Sequence, residues 1–213
     1  LLGLVGSEMC IRDSIYTEMP GKLKIANLIN GSITQIKNVP KVQYSSQGGL
    51  SEVVLDPDFA SNNMIYLSYS ARNSGGKSTL YLMSAVLNKD SLENKKVIFE
   101  AKAPRRVPVH LGAKIAFLDD GTILLASGDG FDHREKAQTL DNHFGKIIRI
   151  NKDGTIPSDN PFVNVKNALP DIYSYGHRNQ QGLIVTKTGE IYEHEHGPRA
   201  VSYTHLTLPT IRE

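Results

Sequence analysis

Three short stretches, Asp120-Gly-Thr-Ile123, Asp153-Gly-Thr-Ile156 and Thr188-Gly-Glu-Ile191, decide the fold of this chain. In each, a glycine at a tight turn supplies the positive φ that a hairpin needs, and a strand start follows. Gly121, Gly154 and Gly189 stand 33 and 35 residues apart. Short apolar or alternating runs recur around them: Met64–Tyr69, Leu80–Val86, Lys114–Phe117, Thr122–Ser127, Lys146–Ile150, Gly182–Val185 and Glu190–Glu193. Short antiparallel strands repeating at this period indicate an all-β chain of the propeller type. Two hairpins make a four-stranded blade, so the 68 residues from Gly121 to Gly189 amount to one blade with its loops. On that reckoning the chain holds about three blades. Three blades alone leave large apolar faces uncovered. A sandwich is the alternative architecture, and the repeating turns weigh against it. No helix pattern competes: Ser91–Lys96 is short and polar, and Arg134–Leu140 has room for one helical turn.

Composition narrows the function. With 213 residues the chain can bury a substantial core, and its net charge of +2 gives no nucleic-acid footprint. No apolar run is long enough to span a bilayer. Leu1 to Val5 is apolar but lacks the basic start and small-residue cleavage site of a signal peptide. The single cysteine, Cys10, excludes an intrachain disulfide framework. That suits a cytoplasmic protein or an exported one that does without disulfides.

Chemistry concentrates in Tyr173-Ser-Tyr-Gly-His-Arg-Asn-Gln-Gln-Gly-Leu183 and Tyr192-Glu-His-Glu-His-Gly-Pro-Arg199. Together they resemble the glucose/sorbosone dehydrogenase family, soluble quinoproteins that oxidise sugars with pyrroloquinoline quinone (PQQ) and calcium. The resemblance spans about residues 42–199, roughly half the family's domain, and implies a six-bladed propeller of which this is the first half. It stops at Arg199, where the family continues Gly-Gly-Asp-Glu and this chain has Ala200. The segments 1–14 and 200–213 resemble translated sequencing-adapter sequence. The expectation is therefore a native stretch at 15–199, with no function for Cys10 or His205. The 213-residue chain alone is expected neither to close a propeller nor to turn over sugar.

The resemblance assigns roles residue by residue. His110, in Pro108-Val-His-Leu-Gly112, matches the histidine that deprotonates the anomeric hydroxyl, and an imidazole titrating near neutrality suits that task. Some members carry Asp or Asn before it; here Val109 stands there, so whatever orients the ring comes from elsewhere. Arg178 and Asn179 match the pair that contacts the quinone and helps stabilise its reduced form, which makes Arg178 a catalytic as well as a cofactor-binding expectation; a guanidinium suits carboxylates and developing oxyanions. Where the family usually has Pro, this chain has Gln180, a change expected to touch loop stiffness more than chemistry. Gly197 and Pro198 match the residues whose carbonyls bind the calcium; such hard oxygens suit that ion. His196 matches a position beside the cofactor. Gln47, ahead of Gly48-Gly49, matches a glutamine near sugar and quinone, or serves only as a turn residue.

Other features stay open. If Tyr192–His196 is a strand, His194 and His196 share a face, either as a transition-metal pair or hydrogen-bonded at the strand end. Leu55-Asp-Pro-Asp-Phe59 reads as a structural turn, and Asn142-His143-Phe144 as scaffold. Asp129, in Gly128-Asp-Gly-Phe-Asp-His-Arg134, either braces the active face or lies in a solvated loop, the default. The reading is thus a PQQ- and calcium-dependent aldose dehydrogenase making lactones. It would need an external electron acceptor and, by the resemblance, sit in the periplasm or outside the cell. Two alternatives are a calcium-dependent sugar lactonase, which would hold its metal by side-chain carboxylates, and a non-catalytic propeller binding module.

Overall fold

A computed structural model of the chain describes residues 13–197 and 202–206. Among the described residues, four antiparallel sheets follow one another. The first holds β1 (Asp13–Glu18), β2 (Lys22–Asn27) and β3 (Ile33–Gln35). The second holds β4 (Leu50–Leu55), β5 (Met64–Arg72), β6 (Ser78–Asn88) and β7 (Ser91–Glu100). The third holds β8 (Gly112–Phe117), β9 (Ile123–Ser127), β10 (Lys146–Ile150) and β11 (Ile172–Tyr175). The last holds β12 (Gln180–Val185), β13 (Ile191–His196) and β14 (Ser202–Leu206). Within each sheet the strands pair in sequence order, and the first strands lie side by side: β1 against β4, β4 against β8, β8 against β12. That is a run of propeller blades. The three-blade expectation is realised as two complete four-stranded sheets flanked by two three-stranded ones.

Two of the three turns act as the sequence implies; at the third, Gly154 turns the chain with φ 92° but Thr155-Ile156 starts no strand, and β11 begins only at Ile172. Gly121 joins β8 to β9 and Gly189 joins β12 to β13, with φ of 80° and 81°. They occupy equivalent positions in consecutive blades, so the 68-residue interval is one blade repeat. Three apolar cores fill the spaces between sheets. Leu23, Leu50, Ile65 and Leu67 pack in one, Tyr66, Leu82, Ile115 and Phe144 in the next, and Ile147, Leu183 and Ile191 in the third. Strand β9 explains its continuous apolar run: Ile123 and Leu125 face one core, Leu124 and Ala126 the other. Each fully buried Leu or Ile there contributes roughly 1.5–3 kcal/mol.

Some strands carry little side-chain pattern. Ser91–Lys96, read as too short and polar for a helix, is not one; it begins β7, the outer strand of its sheet. Glu93–Val97 is exposed, so pairing with β6 rather than side-chain pattern makes it a strand. The strands before Met64 also escaped the pattern; β3 is short and wholly exposed. Arg134–Gln138 forms the single helical turn expected, in the 3-10 form. The Leu55–Phe59 turn is structural as read: buried Asp56 accepts hydrogen bonds from Asp58 N–H, Asn62, Tyr66 and Lys152.

Candidate functional site

Strand direction brings the expected residues to one end of the blades. Gln47 precedes β4, His110 precedes β8, Arg178 and Asn179 precede β12, and His196 closes β13. Backbone and side-chain bonds then tie these loops together. His110 N–H donates to Gln47 Oε1 at 2.8 Å, Asp129 N–H to Arg178 O at 2.7 Å, and His196 N–H to Asn179 O at 3.1 Å.

The imidazole of His110 is held by Asp129. Nδ1 lies 2.7 Å from Asp129 Oδ1, with both side chains buried. A carboxylate only accepts, so Nδ1 supplies the hydrogen of this bond and the ring is held with Nε2 directed away from Asp129. Asp129 is 2% exposed and also accepts the N–H of Phe131, whose ring meets the imidazole edge-on at 5.2 Å. The solvated-loop default for Asp129 is therefore corrected. The orienting group that Val109 could not supply comes from 19 residues further along, at the end of the neighbouring strand. The backbone at His110 is left-handed, φ 45°, a strained setting for a non-glycine residue of the sort found at functional sites.

Beside this pair lies a cleft of about 920 Å³. Its wall includes Gln47, Lys114, Asn179, Gln181, His194 and His196, with Tyr16 and Met19 from the first sheet. His194 and His196 lie on one face of β13, as the alternation requires, with ring centroids 6.2 Å apart. His110 and Arg178 stand next to the wall rather than in it. Arg178 Nη1 donates to the carbonyl of His196 at 2.7 Å, and its own N–H to Glu195. Lower in the cleft, Lys114 sits 3.4 Å from Glu52, whose carboxyl burial pushes up against the opposing pull of that ammonium.

On the opposite face of β13, Glu193 and Glu195 are buried with His177, their ligand atoms within 4.8 Å of one another. Neither oxygen of Glu193 has a hydrogen-bond partner among the described residues. Burial, and then the charge of Glu195, push its carboxyl up to about 8. That shift favours the protonated carboxyl, while His177 Nδ1 lies 3.8 Å from Glu193 Oε2. Nothing in the Glu-His-Glu-His alternation read for its histidines pointed to these carboxylates; the same period of two put them inside. His143 is scaffold as read: Nδ1 accepts the N–H of Lys102 and Nε2 meets Asp171 at 2.9 Å. Gln180 is fully buried at the start of β12, its Nε2 donating to Lys146 O at 3.3 Å.

A flat, polyanionic cofactor fits the chemistry of the cleft. Amide, imidazole and ammonium groups line an open space, with the Arg178 guanidinium just outside it and the His110–Asp129 pair beside it. For calcium, the Gly197 carbonyl belongs to a buried residue, while Pro198 lies outside the described residues, as do Cys10 and most of both terminal segments.

Comparison with known proteins agrees. A model of the family described as glucose/sorbosone dehydrogenase matches residues 9–202. The aldose sugar dehydrogenase YliI of Escherichia coli (strain K12) is 34% identical over 188 residues, covering 87% of this chain and 50% of that protein. The quinoprotein glucose dehydrogenase B of Acinetobacter calcoaceticus is 31% identical over 209 residues, covering 84% and 42%. A solved glucose dehydrogenase superposes with a TM-score of 0.89 at 37% identity, over 98% of this chain and 60% of the other. The PQQ-bound aldose sugar dehydrogenase of Streptomyces coelicolor gives 0.78 at 27%, over 92% and 57%. The fold is thus that of part of a β-propeller. The chain belongs to the glucose/sorbosone dehydrogenase family, and it spans about half the length of the curated relatives it matches.

Proposed function

We propose that this chain carries the general base and part of the cofactor cleft of a dehydrogenase that uses PQQ and calcium to oxidise the anomeric carbon of aldoses to lactones. The observation that carries the reading is the buried His110–Asp129 pair beside a cleft rich in anion-binding donors. When bound, PQQ supplies the hydride acceptor and calcium the Lewis acid that polarises it. The residues of this chain do the rest. Asp129 fixes the tautomer of His110 and stabilises the imidazolium that forms. His110 Nε2 takes the proton of the C1 hydroxyl as the C1–H leaves as hydride, and the carbon–oxygen bond becomes the lactone carbonyl. Arg178 and Asn179 hold the cofactor's anionic edge, with His196 and Gln47 on the wall around it. Gly197 and Pro198 would offer carbonyl oxygens to calcium. Electrons leave to an external acceptor, and a periplasmic or secreted site follows from the family.

The test is His110→Ala in the complete protein loaded with PQQ and calcium. Turnover should fall about 10²–10⁴-fold with PQQ still bound. Unchanged turnover refutes the assignment. Hydrolysis of sugar lactones without sugar oxidation would select the lactonase, and neither activity the binding module.

A further inference from the structure

Arg105 is 1% exposed, and no carboxylate lies within salt-bridge distance of it among the described residues. A buried guanidinium without such a partner is costly, so its position needs a reason. Its backbone is anchored by a two-way bridge to Ser78 at the start of β6. Its side chain reaches the two loops of the site. Nη2 donates to Gly128 O at 2.6 Å and lies 3.4 Å from His110 O, while Nη1 meets Ala103 O at 3.3 Å. Gly128 immediately precedes Asp129, so the guanidinium clasps the backbone of both members of the His110–Asp129 pair. The ring of Phe144 lies 5.2 Å from its Cζ.

The surrounding glycines are shaped to this clasp. A Cβ on Gly128 would fall 2.2 Å from His110 O, and one on Gly130 would meet Phe144 at 2.9 Å and Arg105 Nε at 3.0 Å. Nε itself has no hydrogen-bond partner among the described residues. Burial pulls the guanidinium down to about 10, and the charge of Asp129 opposes that pull. An ordinary core would replace such a group with apolar atoms. Here its donors fall on the carbonyls that set where His110 and Asp129 stand.

We propose that Arg105 is a positioning residue for the His110–Asp129 pair, its guanidinium fixing the two loops so that Nδ1 and the carboxylate stay in register. This rests on the dehydrogenase reading for its consequence in turnover but not for its geometry. The experiment therefore has two readouts in the complete protein. One is the low-field proton resonance of His110 Nδ1–H bonded to Asp129, assigned by its loss in Asp129→Asn. The other is steady-state sugar oxidation with PQQ and calcium. Arg105→Met should abolish or shift the resonance upfield. It should also lower kcat at least about 10-fold while KM moves less than about 2-fold. Arg105→Lys, which keeps the charge and a single donor nitrogen but loses the planar fork, should restore part of both. If Arg105→Met does not fold, Arg105→Lys serves alone, with an intermediate shift and an intermediate kcat expected. A variant that loses only thermal stability, with resonance and kcat unchanged, overturns the proposal. If instead the resonance responds as described but the wild type oxidises no aldose, the positioning role stands and the dehydrogenase reading falls.

Discussion

The two sides of the site are built differently. On the His110 side every group is bonded to another part of the chain: imidazole to Asp129, backbone N–H to Gln47, and the neighbouring carbonyls to buried Arg105. On the β12–β13 side, Asn179, Gln181, His194 and His196 turn toward an open cleft. The first arrangement suits a proton transfer, which needs atoms fixed before substrate arrives. The second suits recognition, in which polar groups are completed by a ligand. The comparison predicts that damage to the fixed side appears in kcat, and damage to the open side in cofactor affinity.

The largest effect should come from Gly128→Ala. Its Cβ would strike a backbone carbonyl, an obstacle no rotamer change relieves. The variant should lose activity and several degrees of Tm together by thermal melting; a near-normal melt with full turnover would break the fixed-side account. Asp129→Asn comes next, lowering kcat about 10²-fold with little change in PQQ affinity. Arg178→Lys probes the open side: a planar fork replaced by a point charge should weaken PQQ about 10-fold in a fluorescence or calorimetric titration. A larger fall in kcat than in affinity would blur the two sides.

The smallest effect concerns pH and lies beneath the cleft. Glu193 is raised from 4.5 to about 8 in the folded chain. Between those values the folded state holds a proton that the unfolded state has released, so stability falls as pH rises through that window. Glu193→Gln removes the term. Its Tm should lie above that of the wild type near pH 8, and the gap should shrink toward pH about 5. An identical pH profile in the two proteins would contradict the raised carboxyl.

The legible part of the molecule was its middle. Strand β10 was read at its observed bounds, because both faces of Lys146–Ile150 are buried and leave an apolar run with turns on either side. The turn glycines gave the blade repeat because positive φ leaves few alternatives to glycine. Outer and early strands such as β7 and β3 were hidden, since their pairing partners, not their side chains, define them. His110, Arg178, Asn179, Gln47 and His196 could be proposed as site residues because they fall in compact runs of sequence. The sequence left Asp129 between bracing the active face and a solvated loop, and gave Arg105 no part. Each acts on a residue in another loop, and only the blade geometry joins them. The one local sign was a pair of glycines flanking a single carboxylate, a pattern that marks close backbone approach without saying to what.

The most direct measurement is the absorbance of PQQ bound to the complete protein with calcium, followed in rapid mixing with an aldose. The account predicts reduction of the quinone at a rate slowed by deuterium at C1, with one lactone formed per cofactor reduced. A spectrum unchanged by every aldose tried, with PQQ demonstrably bound, would contradict it.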